Sequence, residues 1–266
     1  MPSPLIYAVG DIHGSYYKLT RLLKHCNSHC GRRDARFVFV GDYIDRGQHS
    51  REVVELLIEM QKAKPGQICC LRGNHEEMLI SVLEYGDKAL WLCNGGDMTL
   101  RSYGVTSADA IPDEHLVWFD SLPLFESDDQ RFFVHAGIFP GVPLDQQDRD
   151  DMLWIREPFL SDPRDHGRYI VHGHTPLESG EPEYWPNRLN LDTGAVFGGP
   201  LTAAVFDDSS VGPIAFITDD GTVKKAEALI DTPERWRLAG SAGRGRGEKY
   251  RWGRYASHKR LRMPFF

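Results

Sequence analysis

A unit repeated three times within the first 85 residues constrains this chain most: an apolar strand, an abrupt glycine, a few polar residues, then a helix-patterned run. "LIYAVGDIHG" reads as a strand from Leu5 to Val9 that breaks at Gly10, and Leu19, Leu22 and Leu23 share one face of the helix that follows. "RFVFVGDYIDRG" repeats the design, with a strand from Arg36 to Val40 ahead of Gly41 and Asp42. The next helix, "SREVVELLIEMQKAK", takes Ser50 as its N-cap. "QICCLRGNHEEMLISVL" is the third unit. Such alternation predicts a largely parallel sheet with helices packed on it. Functional groups on these sheets gather at the carboxyl ends of the strands.

After Gly86 the pattern loosens into short helices broken by Gly and Pro, "WLCNGGDMTLRSYG" and "IPDEHLVWFDSLP". Strands then dominate: "RFFVHAGI", "RYIVHGHTP", "RLNLDTGAV", "LTAAVFDD" and "GPIAFITDDG". The predicted organisation is a catalytic domain over residues 1–226 and a basic, Gly-rich C-terminal extension over 227–266, read as a disordered solubilising segment. Its mix of basic and aromatic residues is the one place where a nucleic acid or acidic partner would be met. From Thr232 onward ten Lys and Arg face two Glu, a net +8. The formal charge of the whole chain is −7, so the remainder carries −15 and does not read as a nucleic-acid binder.

No apolar run approaches the roughly 18 residues of a membrane span. The N-terminal "MPSP" has neither a basic n-region nor a cleavage site, so no signal peptide is expected. The five cysteines are odd in number and lack a disulfide-framework spacing. They read as small buried thiols in a reducing, cytoplasmic setting.

The chemistry sits at the strand ends. Asp11 and His13 lie in "GDIHG", Asp42 in "GDYIDRG" and Asn74 in "GNHE". Later strands add His135 in "VHAGI" and His174 in "VHGHT". Carboxylate, amide and imidazole donors without thiolate suit divalent Mn, Fe or Zn rather than a structural zinc. Six donors exceed what one catalytic ion with open positions needs. They fit two ions sharing a carboxylate, about 3.5–4 Å apart. His172 and His174 would face the same side of a continuous strand, so either could reach the metal. Glycines 10, 14, 41, 47, 73, 137 and 173 flank these donors and are read as letting the backbone turn and approach a bound group.

"GDIHG", "GDYIDRG" and "GNHE", at these spacings and followed by two His motifs, resemble the PPP family of metal-dependent serine/threonine phosphatases. "LWIRE", "GHTP" and "LDTGAVFGG" match in order the bacterial, lambda-phage-like branch. The resemblance implies a calcineurin-like α/β metallophosphoesterase sandwich, mixed β-sheets flanked by helices. It implies that Asp11, His13 and Asp42 hold a first metal, and that Asp42, Asn74, His135 and His174 hold a second, with Mn2+ the first choice and Fe/Zn an alternative. Arg46 and Arg156 would clamp phosphoryl oxygens, a task that suits the planar guanidinium fork. His75 would be general acid to the leaving alkoxide, with Asp45 orienting its ring. Two cations would neutralise the anionic ester and lower the pKa of a bound water, giving a bridging hydroxide for direct attack.

The implied partner is a phosphoprotein or phosphopeptide, chiefly phosphoserine or phosphothreonine with phosphotyrosine also in reach, acted on by a monomer. The cysteines, read as small buried thiols, do not suggest cysteine-based phosphatase chemistry. A diadenosine tetraphosphate hydrolase shares the metal core, but such enzymes typically have Ala at the position of Asp45 and "GNHD" for "GNHE". Nucleases and phosphodiesterases of the wider group usually lack the "DRG" arginine. A non-catalytic phosphoprotein-binding module would be expected to have lost a ligand or an arginine, and this chain has kept them all. Asp151, Trp154, Asp192 and His172 read as structural supports.

Overall fold

The computed structural model describes residues 4–226. The basic extension at 227–266, with the binding role considered for it, lies outside the described residues. In chain order the elements are β1 (Leu5–Val9), α1 (Tyr16–Cys30), β2 (Ala35–Phe39), α2 (Ser50–Ala63), β3 (Ile68–Cys70), α3 (Asn74–Tyr85), α4 (Ala89–Cys93), α5 (Gly96–Tyr103) and α6 (Asp113–Ser121). There follow β4 (Phe125–Ser127), β5 (Arg131–Val134), α7 (Arg149–Trp154), β6 (Tyr169–His172), β7 (Glu183–Tyr184), β8 (Arg188–Asn190), β9 (Thr202–Phe206), β10 (Ala215–Thr218) and β11 (Val223–Lys225).

Two sheets form. The first has the order β11-β10-β9-β1-β2-β3, with β1, β2 and β3 parallel and the other pairings antiparallel. The second has the order β4-β5-β6-β8-β7, with β5, β6 and β8 parallel between antiparallel edges. The first three units thus make the parallel sheet that their alternation predicts, and the β9–β11 meander turns it into a mixed one.

Alternation along each strand explains the layering. Leu5, Tyr7 and Val9 of β1 and Phe37 and Phe39 of β2 pack on the helix side, against Leu19, Leu22 and Leu23 of α1 and Val53, Val54 and Leu57 of α2. Ala8 and Val38 face the other way and meet Phe133, Val171 and Leu189 of the second sheet, together with Phe206 and Phe216. Phe132, Val134 and Ile170 point outward from the second sheet onto Met152, Ile155 and Phe159. Strands buried on both faces must be apolar at every position, which is why "YAV" and "FVF" read as unbroken runs. Among the described residues no helix is long and apolar enough to cross a membrane.

Two local expectations change. Ser50 does not cap α2 but is its first helical residue, following His49. Its hydroxyl accepts the Asp45 N–H at 3.2 Å, which draws it into the site loop. The cysteines are all free, but they are not uniformly buried: Cys93 is exposed, and Cys30 and Cys69 are partly so.

Candidate active site

The parallel strands of both sheets end in one crowded region, and glycine is what lets them meet. Gly41 has φ +109°, and a Cβ there would lie 2.7 Å from Gly73 Cα and 2.9 Å from the His135 ring. A Cβ on Gly73 would lie 2.2 Å from Asp42 Oδ1. These glycines accommodate the close approach of strand ends to one another. Among the described residues only five non-glycine residues have positive φ: His13, Asp42, Asp45, Arg46 and His174. All five were singled out from the sequence. Each left-handed residue of this kind costs about 1–3 kcal/mol, and such strain collects at functional sites.

Asp42 is the hub. Its Oδ2 lies 3.3 Å from His13 Nε2 and 3.9 Å from His75 Nε2. Its Oδ1 lies 3.4 Å from His135 Nε2 and accepts the His75 N–H at 3.1 Å. Two groups able to hold a metal ion follow, His13–Asp42–His75 and Asp42–His135–His174, and Asp42 belongs to both. Asn74 Oδ1 joins the second group, 2.9 Å from His135 Nε2 and 3.0 Å from His174 Nδ1. Asp11 is buried at the same place but outside either group; its carboxylate accepts the His174 N–H at 3.1 Å.

The donor chemistry fits cations. His135 Nδ1 donates to the Val40 carbonyl at 2.9 Å, and burial lowers the ring's pKa, so the neutral imidazole keeps a lone pair on Nε2. That lone pair faces Asn74 Oδ1 and Asp42 Oδ1. His13 Nδ1 likewise faces the Ile44 carbonyl at 2.8 Å, which turns Nε2 toward Asp42 Oδ2. Around His135 Nε2 the lone pairs of Asn74 Oδ1 and Asp42 Oδ1 repel it unless positive charge lies among them, whereas His13 Nε2 already faces the Arg46 guanidinium. Asp42, shared by both groups, is the anion that would hold such a charge: burial opposes its ionisation, but the rings of His135, His75 and His13 hold its pKa well below the carboxylate range, an effect that requires positive charge among them.

His75 is placed differently. Its Nδ1 lies 2.7 Å from Asp45 Oδ2, and its ring is 1% exposed. Nε2 has no hydrogen-bond partner and faces the Asp42 side of the site. Burial holds the imidazole well below its ordinary range. Burial also pushes Asp45 up to about 7, against hydrogen bonds from Thr99 and Trp91 that lower it. Asp45 is held rigidly by the Thr99 hydroxyl at 2.6 Å and by the Trp91 indole N–H at 3.0 Å.

The two arginines occupy the margin. Arg46 is partly buried, donates to His13 Nε2 at 2.7 Å and lies under the Phe197 ring, 5.5 Å from its centroid. Arg156 is exposed just beyond α7, close enough to His174 to lower its pKa, although burial is the larger cause there. Trp154 stacks edge-on to His174 at 6.3 Å.

His172 is buried against Phe159 and belongs to neither metal-binding group. The same-face rule does not carry from His172 to His174, because β6 ends at His172 and His174 is left-handed, with φ 67°. Asp192, buried nearby, accepts the Gly194 N–H at 3.2 Å. Sequence reasoning missed three positioning residues. Glu76 accepts backbone N–H groups from Asp42, Tyr43 and Gly73 at 2.8–2.9 Å and so latches the second strand end to the third. Its signal was in plain view, as an acidic residue three positions past the N-cap of a helix, here Gly73. Trp91 and Thr99, the cradle of Asp45, had no comparable local signal.

Fold and site together define a metal-dependent phosphoesterase. The chain belongs to the calcineurin-like phosphoesterase family, whose profile matches residues 4–203. It is 33% identical over 211 residues to serine/threonine-protein phosphatase 1 of Salmonella typhimurium (strain LT2), covering 75% of this chain and 90% of that protein. Among solved structures, one assigned as a diadenosine tetraphosphatase superposes with a TM-score of 0.61 at 23% identity, over 82% of this chain and 97% of that one. A cold-active protein tyrosine phosphatase superposes with a TM-score of 0.62 at 18% identity, over 85% and 80% of the two chains. These two likenesses concern the fold.

Proposed function

We propose that the protein is a dinuclear metal-dependent protein phosphatase that hydrolyses phosphoserine and phosphothreonine, with phosphotyrosine as a further substrate. The observation that carries this reading is the pairing of His75 with Asp45 beside a carboxylate shared by two donor groups. Asp11, His13 and Asp42 would hold one divalent cation, and Asp42, Asn74, His135 and His174 the other, with Mn2+ the first choice and an Fe/Zn pair also allowed. When bound, the cations supply charge neutralisation and lower the pKa of a coordinated water.

The remaining work falls to the chain's own groups. Arg46 and Arg156 hold the phosphoryl oxygens from the partly buried and the exposed side of the site. Asp45 fixes His75 through Nδ1 and would stabilise its imidazolium, the form that carries on Nε2 the proton passed to the departing oxygen, against the burial that lowers the ring's pKa. A serine alkoxide is a poor leaving group, so this proton transfer is needed as the bond to phosphorus breaks. Asp45 itself is kept in place by Thr99 and Trp91.

The five cysteines suit a reducing, cytoplasmic setting, and we take the working unit as a monomeric catalytic domain reaching to about residue 226. The test is phosphate release by the purified, Mn-loaded full chain, with a phosphoserine peptide and diadenosine tetraphosphate compared side by side. Preferential turnover of the peptide is expected. Preferential cleavage of the dinucleotide, seen as ADP, would keep the metal site and overturn the substrate.

A further inference from the structure

The loop after β8 carries a phenyl ring directly over one of the two arginines. Phe197 is 65% exposed, and its ring centroid lies 5.5 Å from the Arg46 guanidinium carbon. A single exposed phenylalanine is ordinary on a protein surface. What sets this one apart is how firmly its loop is built. Gly194 and Gly198, with φ of +70° and +100°, bracket a 3-10 turn at Ala195–Phe197. The Phe197 and Gly199 N–H groups both donate to the Gly194 carbonyl, at 2.9 and 3.0 Å. The Thr193 hydroxyl closes the loop onto the Pro200 carbonyl at 2.7 Å.

A long-range clamp completes the construction. Lys18, on α1 just after "GDIHG", donates to the Ala195 carbonyl at 2.7 Å and to the Gly199 carbonyl. One half-buried ammonium thus grips both ends of the turn from the segment that also carries Asp11 and His13. The ring also borders a cavity of about 350 Å³ lined by Pro176, Leu177, Thr193, Gly194 and Gly199, among others. The ring therefore stands beside the arginine read as phosphate-binding and lines an open space.

We propose that Phe197 is a specificity-determining residue. Its ring is the wall against which the leaving group rests, and it raises turnover of aryl phosphomonoesters toward that of the alkyl phosphoserine and phosphothreonine esters; Lys18 is the positioning residue that holds this wall in place. An aryl group joins its phosphorus through one oxygen, so a phosphate held by Arg46 brings that ring to the Phe197 face. A serine side chain offers one methylene in the same place. Aromatic pairs with centroids about 4.5–7 Å apart add stabilisation that a methylene does not reproduce. The inference rests on the reading that Arg46 binds the phosphoryl group.

The experiment measures kcat/KM for a phosphotyrosine and a phosphoserine peptide of identical flanking sequence, using the Mn-loaded full chain. Phe197→Ala is expected to lower the tyrosine-to-serine ratio about threefold to tenfold. Phe197→Leu, which keeps apolar volume without the ring, should lower it less. Lys18→Met should lower the ratio in the same direction, with Lys18→Arg restoring it. Binding of phenylphosphonate relative to methylphosphonate, measured by calorimetry, should shift in parallel, a readout that does not depend on turnover. An unchanged ratio in Phe197→Ala, or an equal fall for both peptides, would overturn the proposal. Arg46→Ala separates the two layers: a KM that does not respond to it sinks the phosphate reading, whereas a flat ratio with an Arg46-dependent KM sinks only the role of Phe197.

Discussion

The buried donor cluster and the exposed rim of the same site are built by opposite rules. Asp11, His13, Asp42, Asn74, His135 and His174 are all buried at strand ends, and three of them sit in left-handed backbone. Arg156 and Phe197 lie on loops open to solvent, with Arg46 partly covered between the two regions. The cluster is over-determined: glycines admit the close approach of strands, and Glu76 ties two strand ends through three backbone N–H groups. The Phe197 part of the rim is held by its own tight turn and by one long-range clamp, Lys18. The difference teaches where each task can reside. Charge-rich chemistry needs groups that cannot relax when a partner binds, because reorganisation costs what preorganisation saves. Selection among leaving groups tolerates, and uses, surface loops on a rigid scaffold.

The strongest way to break this division is at its hub. Asp42→Asn should lower turnover by about 10³-fold or more, because it weakens both donor groups and forfeits several kcal/mol of charge stabilisation. Phosphate release under metal saturation measures it, and a loss confined to tenfold would argue that the two groups work independently. His75→Ala comes next. It should lower kcat by about 10²–10⁴-fold, the usual worth of a general acid, while the bound metal content stays as in the wild type. Wild-type turnover in that variant would remove His75 from the chemistry.

The rim should respond in KM rather than in kcat. Arg156→Ala is expected to raise KM about tenfold to a hundredfold, the worth of a charge-assisted hydrogen bond to phosphate. Arg156→Lys should recover only part of it, since an ammonium lacks the planar fork. A pure kcat effect would move Arg156 into the reacting region and blur the division. The smallest effect probes the cradle. Thr99→Val removes the 2.6 Å hydrogen bond to Asp45 and should cost about 1–2 kcal/mol of stability, read by urea unfolding. It should also reduce kcat by a few-fold with KM unchanged, because the loss acts through the orientation of His75.

The same contrast explains what was legible in the sequence. The strand ends could be read because each donor lies within a few residues of an apolar run and a glycine, as in "VGDIHG" and "LRGNHE". β1 came out at Leu5–Val9 as expected, and β2 one residue earlier than expected, at Ala35–Phe39. What stayed hidden rests on contacts between distant segments. Trp91 and Thr99 reach Asp45 across 46 and 54 residues, and Lys18 reaches Ala195 across 177. Periodicity says which face of a helix is apolar, but it does not say which distant loop a polar side chain will hold. Ser50 shows the limit locally. Its position before a helical run invited a cap, yet its hydroxyl serves the Asp45 loop.

The central claim is that Asp42 joins two cation sites into one centre. Elemental analysis of the Mn-loaded full chain after removal of free metal tests it most directly, with wild type and Asp42→Asn measured together. Two ions per wild-type chain, falling to one or fewer in Asp42→Asn, is the result this account predicts. A single ion in the wild type, or two ions retained in the variant, would contradict it.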